Sequence, residues 1–423
     1  DKDRKPLYPC ILWLDQRSVD NPPSLPLRWE LAVRAFGMKD TADYLGRRGI
    51  PNYFRICKPE LWEKTDKYVA LSAYLNYRLC GELADSYASQ IGRIPFDYRR
   101  HRWEKSGLLH SMFGIAPEKL CKLVPPGTQI GRITESCAAA SGLPAGLPLL
   151  VTGSDKGCET LGMGVLEEDM AALSFGTCAT VEISTRKYFE PIPFFPAYPA
   201  VAAGLYNGEI HFPRGYWMLR WFIDSFAQKE AQEAALLGCS PEELLDLRLR
   251  DIPAGCDGLM LLPQWAPSPS TPNAMGAMIG FHDSHTRFHM YRAIIEGLNF
   301  GLMDGLRRME RRSGQKIRSL RLSGGGSASD EICRITADMF GLSVERIQTA
   351  EATALGAAIC AFVSRGVYGS YREAVAAMVH VRDRFVPDES RHGLYEQLYR
   401  EVFTRYSATL SPLHRRLRRL LKL

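Results

Sequence analysis

Three consecutive glycines, Gly324 to Gly326, stand between an apolar stretch and a helical pattern that opens near Asp330. Glycine has no Cβ, so it accepts positive φ angles and lets the backbone approach a ligand closely. The helix that follows would present its N-terminal N–H groups and the positive end of its dipole to an anion or a polar ligand edge. The spacing therefore predicts a nucleotide- or phosphate-binding loop, and a plain strand–helix connection is the alternative.

Two further segments carry residue types that phosphoryl transfer needs. Asp155 follows the apolar run 149–152, and ligands of open α/β sheets bind beyond the carboxyl ends of the strands. Gly176 and Thr177 occupy the bend of a predicted strand–turn–strand over 171–184. For Asp155, a turn or helix-cap role is the alternative. Together the three segments predict a nucleotide-dependent phosphoryl transfer site, with one carboxylate base and two cradles for phosphate or nucleoside.

The elements that must position these residues follow from hydrophobic periodicity and from glycine and proline punctuation. Residues 8–14 are predicted to form a short buried strand, residues 252–280 a loop, and residues 165–170 a hinge between two domains. The remaining expected elements are helices at 67–79, 216–249, 285–311, 328–341, 352–365 and 390–407, together with strands at 149–152 and 317–323.

Composition narrows the class of protein. The chain has 423 residues, of which 46% are apolar and 24% charged, a balance typical of globular domains. The net charge of +6 is spread along the chain and does not favour a nucleic-acid partner. We expect no membrane span, because no apolar run approaches about 18 residues. Eleven scattered cysteines predict reduced thiols and a cytoplasmic location.

Several residues have both a functional and a structural interpretation. Gly215 could line a phosphate site, since glycine allows close backbone approach. Trp13 and Asp15 could contact a sugar or form a strand end and a turn. His282, His285 and His289 could bind zinc or simply lead into the following helix. Trp217 and Trp221 could stack on a sugar or pack in the core. The basic tail, residues 414–423, could bind a membrane or nucleic acid or form a solvated helix end.

In their order along the chain, these segments resemble the FGGY family of carbohydrate kinases, which includes xylulokinase, gluconokinase and glycerol kinase. The similarity covers nearly the whole chain. The segments that carry it are Pro9-Cys-Ile-Leu-Trp-Leu-Asp-Gln-Arg17, Thr152-Gly-Ser-Asp155, Ser174-Phe-Gly-Thr177, Pro272-Asn-Ala-Met-Gly-Ala-Met-Ile-Gly280, the helix from His285 to Phe300, Gly324-Gly-Gly326 with Asp330, and Glu351-Ala-Thr-Ala-Leu-Gly-Ala-Ala358.

The resemblance implies an α/β, two-domain, actin-like (ribonuclease H-like) ATPase fold with an interdomain cleft. Residues 1–166 would be the sugar-binding N-terminal domain and residues 167–423 the nucleotide-binding C-terminal domain. Asp155 would be the general base, acting on a sugar or polyol held with the help of Trp13 and Asp15. ATP would bind along the six remaining candidates, with Mg²⁺ bridging its phosphates and no metal ligand assigned in this chain: Gly176, Thr177, Gly215, Gly325, Gly326 and Asp330. A homodimer is possible for such a chain.

The sequence departs from the family pattern in two places. The family begins with an Asp-x-Gly-Thr hairpin that binds Mg²⁺ and phosphate, and the chain as given contains no such segment. We therefore expect a first domain truncated at its N-terminus and an inactive chain when expressed alone. The sugar-contacting stretch also differs, reading Ala84-Asp-Ser-Tyr-Ala-Ser-Gln-Ile-Gly92. The favoured function is phosphorylation of a pentulose; the alternative is a non-catalytic relic or fragment that binds sugar or nucleotide.

Overall fold

A computed structural model describes residues 1–12, 15, 17–37, 39–92, 94–193, 195–265 and 273–421 of the protein. The chain divides into two compact units. The first contains Asp1–Cys158, Tyr198–Gly204 and Cys360–Gly369, and the second contains Glu159–Ala197, Leu205–Ile359 and Ser370–Leu423. These units differ from the expected division after residue 166, because the second begins at Glu159 and the first includes two segments from later in the chain. The expected division remains a prediction.

Short helices and two-stranded pairings build the first unit. Its helices are Leu27–Ala35, Lys39–Arg48, Ile50–Cys57, Pro59–Lys64, Leu71–Cys80, Leu108–Phe113 and Glu135–Ser141. Its strands are Ala84–Ser86, Phe96–Asp97, Arg102–Trp103, Lys122–Val124, Gln129–Arg132, Pro148–Leu150 and Tyr198–Pro199. The helix expected to stop before Gly81 does so, because Gly81 adopts the left-handed conformation with φ 81° and its N–H caps the carbonyl of Tyr77.

The strand expected at residues 8–14 is wrong for its described part. Residues 8–12 are irregular, and the side chain of Leu12 is 67% exposed. The N–H of Asp15 donates to the carbonyl of Leu12. Pro9 has no N–H to give a strand ladder, and an apolar run without a strand beside it cannot satisfy its backbone groups as a strand.

The strand before Asp155 is shorter than expected. Pro148–Leu150 pairs antiparallel with Gln129–Arg132 in a two-stranded ribbon. Asp155 begins the next helix, Asp155–Gly162, so it lies at a helix N-terminus rather than at the end of a strand. The intervening residues 151–154 form the connecting loop.

A mixed sheet forms the centre of the second unit. Six of its strands lie in the order Val381–Phe385, Ser343–Ile347, Ser319–Ser323, Met170–Phe175, Ala179–Thr185 and Tyr206–Phe212. The three strands from Ser343–Ile347 to Met170–Phe175 run parallel, and the flanking pairs are antiparallel. The hairpin expected at 171–184 is confirmed as the two strands around the bend 176–178. Its two strands are almost wholly buried, although the second carries Thr180, Glu182 and Ser184 among its buried residues.

This part of the chain also contains helices, of which Arg287–Ser313 and Asp330–Phe340 contact the sheet strands. The helices are Trp217–Phe226, Gln228–Leu237, Pro241–Arg248, Arg287–Ser313, Asp330–Phe340, Ala352–Ser364, Tyr371–Met378, Glu389–Leu398 and Thr404–Leu421, with a π-helical turn at Tyr399–Phe403. The long helix begins at a capping box on Thr286 and ends at Gly314, whose φ is 77°. Its buried face packs with the sheet strands in one core that includes Leu173, Leu320 and Leu298.

Two expectations for the second unit need correction. Residues 252–280 are not all loop, because Met260–Leu262 and Ala277–Ile279 pair as short antiparallel strands. The first of these strands is buried, so its apolar run outweighs the surrounding prolines and glycines. The last helical segment extends past 407 to Leu421. In the described part of the chain, no helix combines the length and the apolar content needed to cross a membrane.

Candidate active site

The two candidate nucleotide loops emerge from neighbouring strands. Strands Met170–Phe175 and Ser319–Ser323 run parallel, and Ser174 and Ser323 are partners in their register. Each serine directly precedes a loop, which continues through Gly176 and Thr177 in one case and through Gly324–Gly326 in the other. Because parallel strands end at the same sheet edge, the two loops leave the sheet side by side.

Close backbone packing joins the two loops. Gly324 has φ 85°, and a Cβ on it would lie 2.7 Å from the carbonyl carbon of Phe175. No side chain fits at that distance, so the sequence requires glycine here for both conformation and space. The ring of Phe175 stacks on Tyr216 with 4.3 Å between centroids, and a Cβ on Gly326 would lie 2.5 Å from the Tyr216 ring.

Gly215 and the residue after it support the hairpin bend through backbone hydrogen bonds. Its N–H donates to the carbonyl of Thr177 at 2.9 Å, and the N–H of Tyr216 donates to the carbonyl of Gly176 at 3.0 Å. A Cβ on Gly215 would lie 2.1 Å from the backbone nitrogen of Ala179. The structure thus brings Gly215 to the predicted site, where its N–H bonds the loop itself.

The glycine loop ends in a helix N-terminus, as expected. Gly325–Ala328 forms one 3₁₀ turn, and Ser329 caps the helix Asp330–Phe340 by accepting the N–H of Ile332. Gly325 is exposed, and no heavy atom lies within 4 Å of the position its Cβ would occupy. The loop therefore has open space at Gly325 and close packing at the glycines on either side.

Asp330 and Arg346 form a contact that the sequence did not predict. The Nη2 of Arg346 lies 2.7 Å from an Asp330 carboxylate oxygen and 2.6 Å from one of Asp383. Its Nη1 donates to the carbonyls of Ser327 and Ala328 at 2.7 and 3.0 Å. The Arg346 side chain is only 9% exposed. The strand sequence Ser343-Val-Glu-Arg-Ile347 contains no local signal that would have identified Arg346.

The loop that carries Asp155 is anchored inside the first unit. The N–H of Ser154 donates to the carbonyl of Ala88 at 3.0 Å, and a Cβ on Gly153 would lie 2.5 Å from Val201. Asp155 itself is exposed, and one carboxylate oxygen accepts the N–H of Lys156 at 2.8 Å. The carboxylate is thus held at a helix N-terminus next to the segment 84–90.

A buried carboxylate fixes that segment. Asp85 is 1% exposed and accepts hydrogen bonds from Ser72 Oγ at 2.6 Å, from the N–H of Ser86 at 2.8 Å and from Gln90 Nε2 at 2.9 Å. Burial raises the pKa of Asp85, and these hydrogen bonds oppose the rise. Asp85 therefore holds the backbone and side chains of residues 84–90 in place. The sequence did not predict this role, because Asp85 stands among other polar residues.

Of the two residues proposed for sugar contact near the N-terminus, Trp13 lies outside the described residues. Asp15 is described, and its carboxylate binds Arg17, whose Nε and Nη2 approach its oxygens to 2.8 and 2.7 Å. Hydrogen bonding from Arg17 lowers the pKa of Asp15. The guanidinium of Arg17 also lies over the ring of Tyr53, 5.0 Å from its centroid. Asp15 and Asp155 are therefore held by different neighbours.

The three histidines considered for zinc support a strained turn. Cys256 and Asp257 both have φ 50°, in the left-handed region. His285 Nε2 lies 3.1 Å from the carbonyl oxygen of Cys256, His282 Nε2 lies 3.3 Å from that of Asp257, and His289 Nε2 lies 3.3 Å from the Asp257 carboxylate. Among the described residues, no group of three or more histidine, cysteine or acidic side chains could hold a metal ion.

The two tryptophans pack against the core of the second unit, and the basic tail is helical in its described part. Trp217 and Trp221 both pack against the core of the second unit, and Trp221 meets Trp265 edge to face at 5.4 Å. Residues 414–421 of the tail belong to the final helix, on which Leu413 and Leu417 are exposed.

The residues of the second unit fit a nucleotide polyphosphate. Thr177 is exposed, Gly325 borders open space, and a Cβ on Gly176 would meet only the carbonyl oxygen of Cys178, at 3.6 Å. A hydroxyl, flexible glycine backbone and a helix N-terminus form a donor set suited to anionic oxygens. These are the residues that would hold the phosphates of ATP.

Comparison with known proteins agrees with this arrangement. The N-terminal domain of the FGGY family of carbohydrate kinases matches residues 52–162, and the C-terminal domain of that family matches residues 171–365. The uncharacterized sugar kinase YgcE of Escherichia coli (strain K12) is 33% identical over 354 residues, which are 82% of this chain and 72% of that protein. The chain belongs to the FGGY family of carbohydrate kinases, as its motifs predicted.

Two further relatives are xylulose kinases. That of Staphylococcus epidermidis (strain ATCC 12228 / FDA PCI 1200) is 28% identical over 351 residues, covering 81% of this chain and 67% of that protein. The crystal structure of xylulose kinase from Rhodospirillum rubrum has a TM-score of 0.73 at 23% identity and covers 86% of this chain and 72% of that one. The expected α/β actin-like, two-domain fold is confirmed.

Proposed function

We propose that this protein phosphorylates a hydroxyl of a pentulose with ATP, and that Asp155 is the general base. The observation that carries the proposal is the assembly of the Gly176–Thr177 bend and the Gly324–Gly326 loop at one edge of the sheet, in a chain of a sugar kinase family. Residues 167–423 would supply the nucleotide site and residues 1–166 the sugar site.

The chemistry follows from the residue types. Asp155 accepts the proton of the sugar hydroxyl while that oxygen forms a bond to the γ-phosphorus of ATP; the bond from the γ-phosphorus to the ADP oxygen breaks, and ADP leaves. Positioning and charge stabilisation account for most of the catalysis in such transfers. The Thr177 hydroxyl and the backbone of Gly176 would donate to the phosphates, and Gly215 would support that bend. Gly325 and Gly326 would pass close to the nucleoside and the α-phosphate, and Asp330 would face the adenine edge.

Magnesium would enter with the nucleotide. Its preferred ligands are oxygen atoms in octahedral geometry, and nucleotide phosphates commonly provide several of them. No side chain of this chain is assigned to the metal.

A sugar in the first unit would contact the segment 84–90 and the residues Trp13 and Asp15. Asp85 supports the proposal because its three hydrogen bonds fix that segment beside the Asp155 loop. The choice of a pentulose rests on the xylulose kinase relatives.

A screen of ADP release tests the proposal. The natural protein is supplied with ATP, Mg²⁺ and single ketoses, aldonates or polyols, and ADP is measured with a coupled assay. We expect the highest kcat/KM with a pentulose. Turnover of only an aldonate or a polyol would contradict the substrate class, and saturable nucleotide binding without any sugar-dependent ADP release would favour a non-catalytic protein.

A further inference from the structure

One buried carboxylate connects the two strands that carry the nucleotide loops. Glu159 is 8% exposed and lies one turn after Asp155 in the helix Asp155–Gly162. Its Oε1 accepts a hydrogen bond from Ser174 Oγ at 2.8 Å and another from Ser323 Oγ at 2.5 Å. A single carboxylate oxygen therefore holds the last residue before each loop.

The position of the two serines gives this contact its importance. Ser174 and Ser323 are register partners on adjacent parallel strands and are 3% and 1% exposed. Immediately beyond them, the backbones of Phe175 and Gly324 touch. A change in the spacing of the two serines would be transmitted directly to the loops, because close-packed backbone leaves no room to absorb it.

We infer that Glu159 is a positioning residue that fixes the spacing of the Gly176–Thr177 bend and the Gly324–Gly326 loop for nucleotide binding. This inference rests on the proposed function. Hydrogen bonds to an ionised acceptor are roughly twice as strong as neutral ones, so a buried carboxylate can hold two hydroxyl donors in fixed positions. Glu159 acts through the serines and touches no reacting atom.

The next residue of the helix provides a matched control. Thr160 Oγ1 donates to the carboxylate of Glu182 at 2.5 Å, and Glu182 is 2% exposed on the strand Ala179–Thr185. This pair is another buried carboxylate–hydroxyl contact on the same helix, and neither member adjoins a candidate loop. A purely structural role for Glu159 predicts equal effects from the two carboxylates on nucleotide binding.

The test measures ATP affinity by calorimetry and steady-state kinetics in the natural protein, with urea unfolding of each variant. Glu159→Ala should raise the Kd and KM for ATP by about tenfold or more while the KM for sugar changes less than about twofold. Glu159→Gln retains an oxygen acceptor and should restore most of the affinity. Glu182→Ala, the matched change at the control position, should lower the urea midpoint and leave the Kd for ATP unchanged.

Ser323→Ala provides a smaller change if Glu159→Ala does not fold. It should raise the Kd for ATP by about threefold or more in both the wild-type and the Glu159→Gln backgrounds, because the glutamine retains the oxygen that accepts the Ser323 hydroxyl. Unchanged ATP affinity in a folded Glu159→Ala or Ser323→Ala variant overturns the inference alone. Absence of saturable ATP binding by the wild type overturns the proposed function and this inference with it.

Discussion

Arg346 and Asp330 form an ion pair, with 2.7 Å between Nη2 and Oδ1, that joins the strand Ser343–Ile347 to the first residue of the helix after the glycine loop. The same guanidinium binds the carbonyls of Ser327 and Ala328. One buried cation thus binds both the carbonyl groups at the end of the loop and the carboxylate at the start of the helix.

Removing that cation should both destabilise the protein and weaken nucleotide binding. Arg346→Ala leaves two loop carbonyls without this donor and removes the closer of the two arginines paired with Asp330, so we expect the free energy of unfolding to fall by about 3 kcal/mol. Arg384→Ala is the control, because Arg384 pairs with Glu345 but is 63% exposed; that change should cost less than about 1 kcal/mol. Equal urea midpoints for the two variants would contradict the role of Arg346.

Substitutions at two glycines of the loop should have different effects on stability and on ATP binding. Gly324→Ala places a Cβ 2.7 Å from the Phe175 backbone at φ 85° and should lower the free energy of unfolding by at least about 2 kcal/mol. Gly325→Val enters open space and should change stability by less than about 1 kcal/mol, yet weaken ATP binding about tenfold or more.

A third glycine is the control for this pair. Gly393 also has no atom within 4 Å of its Cβ position and lies in the helix Glu389–Leu398. Gly393→Val should leave both stability and ATP affinity near wild type. Calorimetry showing normal ATP affinity in Gly325→Val would remove Gly325 from the nucleotide site.

Asp246 should give the protein a measurable pH dependence. Burial raises its pKa to about 6, and hydrogen bonds from Ser329 and Tyr291 only partly oppose this. Because the folded pKa lies above the unfolded value, the folded state binds more protons between about pH 4 and pH 6, and this carboxyl reduces stability as the pH rises through that window.

Asp246→Asn removes this titration. The variant should gain stability relative to wild type from pH 4.5 to 6.5, reaching an advantage of about 1–3 kcal/mol that stays constant at higher pH. Urea unfolding of both proteins across this range measures the difference. A difference that does not vary with pH would show that Asp246 titrates normally in the folded protein.

The sequence predicted the parts of the site that depend on local backbone requirements. The glycines at 324–326, the bend at Gly176 and the cap at Gly81 could be identified because a turn or a helix end restricts which residues fit. The order of these segments was enough to indicate the family. The long helix Arg287–Ser313 was predictable from its periodicity and its capping residues.

The residues that the sequence did not reveal act through long-range contacts. Glu159 meets Ser323, 164 positions away, and Arg346 meets loop carbonyls in another element. Such partners depend on strand order, which no local pattern encodes. The strand expected at residues 8–14 is absent from its described part, residues 8–12, for a related reason, since an apolar run forms a strand only where another strand pairs with it.

The most direct test of the central claim is the turnover of Asp155→Asn in the natural protein with its best sugar. The substitution retains size and hydrogen-bonding groups but removes the proton acceptor. We expect kcat to fall by ~10²-fold or more while the Kd for ATP changes little. Asp66→Asn, which alters a carboxylate paired with Arg4, serves as the control and should keep wild-type kcat. Near-normal kcat in Asp155→Asn would contradict the assignment of Asp155 as the base.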